Sequence, residues 1–197
     1  MFLDPVLYGF VFLGLFSPGP NVIMLTASAV RFGFVRTVPH LFGVVLGVGI
    51  TAGVTALGVG AAVTATPWLN MALRIAAAAF IAWMAWGLWQ ASARPRTAHH
   101  PDDRPLSLFG AVLFQWINPK VWAVAFAASA GYSAGMSPAF EALRLGMAFS
   151  LTNLGVCLFW TAAGSLLAAL LASPAVWKVF LRAMAVLLAL TVLLVFR

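Results

Sequence analysis

The stretch LFSPGPNVIMLTASAV, residues 15–30, places two prolines and a glycine in the middle of an apolar run. Each proline costs the interior of a helix about 3 kcal/mol and removes a backbone hydrogen-bond donor. A chain that otherwise has the pattern of apolar helices therefore interrupts itself at Pro18 and Pro20. What such a break means depends on the solvent that surrounds it.

The composition indicates a membrane protein. Of the 197 residues, 63% are hydrophobic and 8% are charged, whereas soluble domains carry about 25% charged residues. The mean hydropathy is +1.04. The N-terminus lacks the basic region of a signal peptide, so we expect the first helix to be retained. The single cysteine, Cys157, excludes an internal disulfide, and basic residues spread among loops and helix ends argue against a nucleic-acid partner.

The apolar stretches predict an all-α integral membrane protein with six transmembrane helices. The predicted spans are residues 3–28, 38–63, 68–91, 107–131, 138–170 and 175–196. The polar residues 91–107 form a linker between a first three-helix repeat, residues 1–90, and a second, residues 108–197. Loop charge predicts a cytoplasmic linker and periplasmic termini, and an odd number of spans in each half makes the two repeats inverted.

The first helix of each repeat contains a proline motif. FSPGPNV lies in span one and QWINPKV in span four, so aligning Pro20 with Pro119 puts both breaks near mid-span. Interrupted segments at matching positions in two halves indicate the binding site of a transporter, although a simple proline kink repaired by neighbouring helices is the alternative. The prolines are expected to free the carbonyls of Gly14, Phe16 and Gln115 for an ammonium group. The half-helix that starts after each break would present amides to a carboxylate.

Charged and amide side chains inside the spans are the other candidates. Lys120 near mid-membrane costs about 2.5–3.5 kcal/mol on insertion scales, which favours function over snorkelling. Asn153 is predicted either to bind substrate or to join helices. Glu141 and Asp4, near the outer ends of spans five and one, are candidates for proton coupling. For Glu141, an interfacial ion pair with Arg144 is the alternative.

Two further features carry structural predictions. Span two contains glycines at four-residue spacing, Gly43 with Gly47 and Gly49 with Gly53, which predicts close helix packing. His40 is expected at the membrane interface, where span two begins. On that reading no histidine is embedded in the membrane to activate Ser165, which argues against an intramembrane hydrolase.

The stretch SPGPNVIMLTASAVRFGFVRTVPHLFGVVLGVGI, followed by INPKVW in the second half, resembles the lysine and homoserine/threonine exporter family (LysE/RhtB type). The resemblance covers nearly the whole chain. It implies an inner-membrane exporter of amino acids or close analogues that is driven by the proton-motive force. Pro18, Gly19, Pro20 and Asn21 match the first motif of the family, and Asn118, Pro119 and Lys120 match the second.

These observations together predict an exporter that works by alternating access between two broken helices, with an amino acid and the lipid bilayer as partners and no cofactor or metal. A non-transporting scaffold or sensor, and efflux of another small solute, are the alternatives, and a homo-oligomer is left open. The candidate substrate-binding residues are Ser17, Pro18, Gly19, Pro20, Asn21, Asn118, Pro119, Lys120 and Asn153.

Overall fold

A computed structural model describes residues 4–17, 19–58, 65–94, 104–170 and 173–195. Pro18 and residues 95–103 of the linker lie outside the described residues. The described residues form eight α-helices: α1 (Pro5–Phe16), α2 (Pro20–Phe32), α3 (Phe34–Ala56), α4 (Pro67–Ser92), α5 (Leu108–Ile117), α6 (Pro119–Gly131), α7 (Pro138–Leu170) and α8 (Pro174–Val195).

Proline marks where most of these helices start. Six of the eight described helices begin with a proline, which fits the first turn because its missing N–H has no partner there in any case. Polar side chains complete some of these starts. The Oδ1 of Asp4 accepts hydrogen bonds from Val6 N at 3.0 Å and Leu7 N at 3.3 Å at the start of α1. Proline therefore both interrupts the apolar spans and marks where most of the helices begin.

The predicted interruption of spans one and four is confirmed. The segment predicted as span one is divided into α1 and α2, bent by 61°, and the segment predicted as span four is divided into α5 and α6 at Asn118. Helix α3 begins at Phe34, four residues before the predicted start of span two. The reason is Gly33, whose backbone angles of φ 81° and ψ 171° let α3 follow directly on α2.

The chain is a multi-pass membrane protein. Four described helices are long and apolar enough to cross a bilayer, namely Phe34–Ala56, Pro67–Ser92, Pro138–Ala168 and Pro174–Leu193. The bent pair α1 and α2 makes a fifth if it is one broken span, whereas Leu108–Ile117 is apolar but short. The sixth span, which needs α5 and α6 to cross together, and the inverted repeat stay predictions.

Helix α2 lies between two apolar clusters and is buried around most of its surface. One cluster joins residues of α1, α3, α6 and α7, and includes Leu25 of α2. The other joins α4 and α8 to the opposite face of α2, through Ile23, Met24, Ala27 and Val30. The N-terminus of α2, at the first proline break, is therefore fixed by packing from both sides.

The predicted close packing of the span-two glycines is confirmed, and the two pairs face different helices. A Cβ on Gly43 would lie 2.6 Å from the Cβ of Ala111, and one on Gly47 would lie 2.9 Å from the Cα of Val112, both on α5. A Cβ on Gly49 or Gly53 would instead approach α7, 2.9 Å from the Gly146 carbonyl oxygen and 3.1 Å from that of Ala142. Helix α3 thus holds α5 and α7 at once.

Gly43→Ala is expected to lower the thermal unfolding temperature of the protein in detergent. The new methyl group would overlap the backbone carbonyl of Leu108, which cannot rotate away, and overpacking of this kind costs about 1–3 kcal/mol. Gly87→Ala in α4 is the matched control, since its Cβ would meet nothing within 4 Å. There the better helix propensity of alanine should leave stability equal or raised. Equal unfolding temperatures for the two variants would contradict the close α3–α5 contact.

Candidate functional site

The first proline break leaves a helix N-terminus without a side-chain cap. Helix α1 ends at Phe16, and the hydroxyl of Ser17 donates to the Gly14 carbonyl at 3.0 Å. Gly19 precedes α2 in an extended conformation, and no side chain caps the first turn that begins at Pro20. The first-turn amides and the positive end of the α2 dipole therefore remain available to an anionic group.

The second break is satisfied by its own side chains. The side-chain Oδ1 of Asn118 accepts a hydrogen bond from Lys120 N at 3.2 Å and so caps α6. The backbone N–H of Asn118 donates to the Gln115 backbone carbonyl at 3.2 Å. The Nε1 of Trp122 donates to the Trp116 carbonyl at 2.8 Å. The chain thus passes from α5 to α6 with its local polar groups paired.

An amide network joins the two breaks. Asn21 Nδ2 donates to Gln115 Oε1 at 2.8 Å, and Gln115 Nε2 donates back to Asn21 Oδ1 at 3.1 Å. Asn118 Nδ2 also approaches Gln115 Oε1 at 3.3 Å, and Gln115 Nε2 reaches the Ala111 carbonyl at 2.9 Å. Gly47 leaves room for this, because a Cβ there would lie 2.6 Å from Gln115 Cγ. The network fixes α2 against α5, and so fixes the first half of the chain against the second.

Lys120 connects the breaks a second time. Its ammonium Nζ donates a hydrogen bond to the backbone carbonyl of Ser17, at the end of α1. Its aliphatic part passes over Gly19, where a Cβ would lie 2.7 Å from Lys120 Cδ. The ammonium thus lies at the break in the other half of the chain, and the absence of a side chain at Gly19 is what lets it reach the Ser17 carbonyl.

Five of the predicted residues line one cavity at this point: Gly19, Asn21, Asn118, Lys120 and Asn153. Its free volume is about 10 Å³, room for about one water molecule. The rest of the wall is formed by Leu15, Val22, Leu25, Val121, Val156, Cys157 and Trp160. We refer to it as the central cavity.

Two hydrogen-bond donors of the central cavity have no acceptor within the described part of the chain. These are Nδ2 of Asn153, a residue only 2% exposed, and Nε1 of Trp160. A buried donor without a partner costs about 1–3 kcal/mol, so it needs an acceptor from outside the described residues, either a water molecule or a ligand. Together with Lys120 and the uncapped start of α2, they give the cavity an excess of donors.

The remaining predicted residues have other surroundings. Pro20 and Pro119 are the first residues of α2 and α6, and Ser17 contributes its carbonyl to Lys120. The prediction that the carbonyls of Gly14 and Gln115 are freed for a ligand is wrong. The Ser17 hydroxyl donates to the Gly14 carbonyl, and the backbone N–H of Asn118 donates to the Gln115 carbonyl.

Gln115 and Trp160 were not predicted as site residues. A glutamine in an apolar span was the available signal for Gln115. Nothing in the sequence distinguishes Trp160 from the other tryptophans.

Glu141 and Asp4 share one arginine. Arg144 contacts Glu141 Oε2 at 3.2 Å and Asp4 Oδ2 at 3.3 Å, and it donates to the Tyr132 carbonyl at 2.7 Å. Glu141 Oε1 also accepts from Ala134 N at 2.6 Å. The predicted Glu141–Arg144 ion pair is confirmed, whereas proton coupling by either carboxylate stays a prediction. The contact of Arg144 with Asp4 ties the start of α7 to the start of α1.

His40, predicted to lie at the membrane interface, packs inside the protein. Its side chain is fully buried in α3, and its Nδ1 lies 3.2 Å from the hydroxyl oxygen of Ser28 in α2. His40 lies in the second turn of α3, which begins at Phe34, and its depth in the bilayer stays a prediction. Ser165 donates to the Thr161 carbonyl of its own helix at 3.0 Å.

The model of one protein family matches the chain. Its description is LysE type translocator, and the match covers residues 12–196, which includes both breaks and every residue of the central cavity. No curated protein and no solved structure is significantly similar to the chain.

Proposed function

Because this chain belongs to the LysE type translocator family, we propose that it exports amino acids or close analogues and binds them in the central cavity. The family assignment makes the protein a membrane transporter. The substrate class, the energy source and the site are our inference, and the excess of donors in the central cavity is the observation that carries it.

The donors of the central cavity suit a carboxylate. The residues that supply these donors all line this cavity: Lys120, Asn153, Trp160, and Asn21 and Val22 in the first turn of α2. A carboxylate has about four acceptor positions on two oxygens, so it can satisfy several of these donors at once. Charge-assisted hydrogen bonds of this kind are roughly twice as strong as neutral ones, and a low-dielectric surrounding strengthens them further.

The ammonium group of an amino acid finds its acceptors at the same place. The Ser17 carbonyl already accepts a hydrogen bond from an alkylammonium, the side chain of Lys120. A substrate ammonium has the same chemistry and can take over that carbonyl while Lys120 turns to the substrate carboxylate. The amide oxygens of Asn21 and Asn118 supply further acceptors. This exchange separates the two charges of the substrate without leaving a buried charge unpaired.

Transport requires the helices around the central cavity to move. A free volume of about 10 Å³ admits a water molecule but not an amino acid. The contacts that must change are those that join the two halves, namely the Asn21–Gln115 pair and the Lys120–Ser17 bond. Rocking of one half against the other around this network would expose the central cavity to each side in turn. We place the protein in the bacterial inner membrane with periplasmic termini and assign the proton-motive force as its energy source.

Counterflow in proteoliposomes tests the proposed function. Vesicles loaded with one unlabelled amino acid should take up the labelled form transiently, in a panel of amino acids tested one by one. The matching amine, which lacks the carboxylate, should fail to exchange for any amino acid that does. Exchange of the amine alone would indicate efflux of another small solute. Folded protein that exchanges nothing in the panel would favour the scaffold or sensor alternative.

Asn153→Leu is expected to separate stability from transport. The substitution removes a buried Nδ2 that has no acceptor among the described residues, so the free energy of unfolding should rise by about 1–3 kcal/mol. Counterflow should fall, since a donor to the carboxylate is lost. The control is Thr152→Val at the neighbouring position, whose hydroxyl also has no partner in the described part of the chain but does not line the central cavity. Unchanged counterflow in Asn153→Leu would remove Asn153 from the site.

A further inference from the structure

His40 is a buried titratable side chain outside the central cavity. Its ring is 0% exposed, its Nδ1 lies 3.2 Å from Ser28 Oγ, and its Nε2 has no hydrogen-bond partner among the described residues. A ring with one nitrogen bonded and the other unpartnered can take a proton on the second while releasing one from the first. The structure thus gives this histidine an arrangement that suits proton transfer.

Ser28 connects His40 to a second, larger cavity of about 310 Å³, which we call the α2–α4 cavity. Its wall includes Ser28 and Arg31 of α2, Gln90 of α4 and Arg104 before α5. A cavity of this size is large enough for water, and these four polar side chains can bond to it. A proton on the Ser28 hydroxyl therefore has a direct route to water, and Ser28 passes it to or from the buried ring.

The two cavities lie on successive turns of α2. Asn21, Val22 and Leu25 line the central cavity, whereas Met24, Ala27 and Ser28 line the α2–α4 cavity. Leu25 and Ser28 are three residues apart, a rise of about 4.5 Å along the helix axis. A movement of α2 that opens the central cavity therefore also shifts the hydroxyl that bonds to His40.

The charged residues that flank Ser28 and His40 along their helices, or that line the α2–α4 cavity, are arginines. Arg31 follows Ser28 by about one turn on α2, Arg36 precedes His40 by about one turn on α3, and Arg104 lines the α2–α4 cavity. On α6 the charged residue is Lys120.

Helix α7 contributes titratable groups at two positions along its length. Glu141 and Arg144 lie beside Gly53, about 20 Å along α3 from His40, because Gly53 faces Ala142. Cys157 of α7 is buried and lines the central cavity.

We propose that His40 carries the proton that is exchanged for substrate, an inference that rests on the proposed function. With Nδ1–H donating to Ser28 Oγ, Nε2 accepts a proton through its lone pair. The resulting imidazolium gives the Nδ1 proton to the Ser28 oxygen, and the hydroxyl releases its own proton to water in the α2–α4 cavity. One proton enters and one leaves, and the ring is then neutral with its proton on Nε2. A flip of the ring turns that N–H toward Ser28 before the next proton is taken up. In the predicted orientation this cavity faces the cytoplasm, so the proton moves inward as substrate moves outward.

The test compares two modes of transport in the same proteoliposomes, using the amino acid that gives the largest wild-type counterflow. Counterflow at equal pH needs no net proton movement, whereas uphill accumulation under a pH gradient does. One pH unit supports about a tenfold concentration ratio for one exchanged proton. His40→Gln should retain counterflow and lose this accumulation entirely, to a ratio of about one. Ser28→Ala should slow accumulation, and His99→Gln in the linker should behave as wild type.

Each result decides between defined alternatives. Accumulation by His40→Gln equal to wild type would overturn the proton role and leave the proposed function standing. Loss of both counterflow and accumulation in His40→Gln and also in His40→Asn would assign His40 to packing, and would overturn the proposal as well. A wild-type protein without counterflow for any amino acid would instead overturn the proposed function itself.

Discussion

Lys120→Met is expected to reduce counterflow about 10- to 100-fold, the loss that corresponds to one hydrogen bond to a charged group. The ammonium is the charged donor of the central cavity, and it also holds the Ser17 carbonyl at the α1–α2 break. Methionine keeps the volume and flexibility of the side chain but donates nothing. The loss should therefore appear in substrate affinity and exchange rate rather than in folding.

The stability of Lys120→Met should equal or exceed that of the wild type. An ammonium near mid-membrane costs about 2.5–3.5 kcal/mol, and its bond to the Ser17 carbonyl returns about 1.5–3 kcal/mol. The two terms nearly cancel, with a small balance in favour of methionine. Thermal unfolding in detergent measures this balance, and Lys178→Met on the exposed face of α8 is the control for removal of a lysine. Full counterflow by Lys120→Met would give Lys120 a structural role alone.

Much of the candidate site could be predicted because polar and helix-breaking residues are rare in this chain. In apolar helices a proline, a lysine or an asparagine stands out against its neighbours, since each has a cost that lipid does not offset. Asn118, Lys120 and Asn153 stand out in this way, whereas Gly19 and Asn21 were predicted from the first proline motif and its resemblance to the family, and the fold brings all five to one cavity. Their use by a substrate stays a prediction.

What could not be predicted depends on contacts between distant segments. Gln115 pairs with a residue 94 positions away, and that pairing follows from the close approach of α5 to α3 at Gly47. The burial of His40 follows from where α3 begins and from the position of Ser28 on the neighbouring helix. The Gly14 and Gln115 carbonyls differ in this respect, because their partners, the Ser17 hydroxyl and the backbone N–H of Asn118, lie only three residues away, and a proline motif alone does not indicate such local bonds.

The α5–α6 break provides the last prediction, and its hydrogen bonds determine what each substitution does. The amides of Asn118 and Lys120 bond to the Gln115 carbonyl and to Asn118 Oδ1, and those of Val121 and Trp122 bond to the Asn118 carbonyl. A continuous helix would gain only the amide of residue 119. Replacing the proline alone therefore removes an obstacle without supplying a driving force, so Pro119→Ala should keep the break and most of the transport activity.

Adding Asn118→Ala to Pro119→Ala should instead abolish transport. The second change removes the cap on Lys120 N, which is worth about 1 kcal/mol, and the contact with Gln115 Oε1. Two consecutive alanines then favour an uninterrupted helix. Continuing α5 into α6 rotates Lys120 away from Ser17 and separates the donors of the central cavity. We expect the double variant to unfold at a temperature close to that of Pro119→Ala but to show no counterflow. Counterflow retained by a folded double variant would show that transport does not need this break, and its loss in Pro119→Ala alone would show that the proline, not Asn118, maintains it.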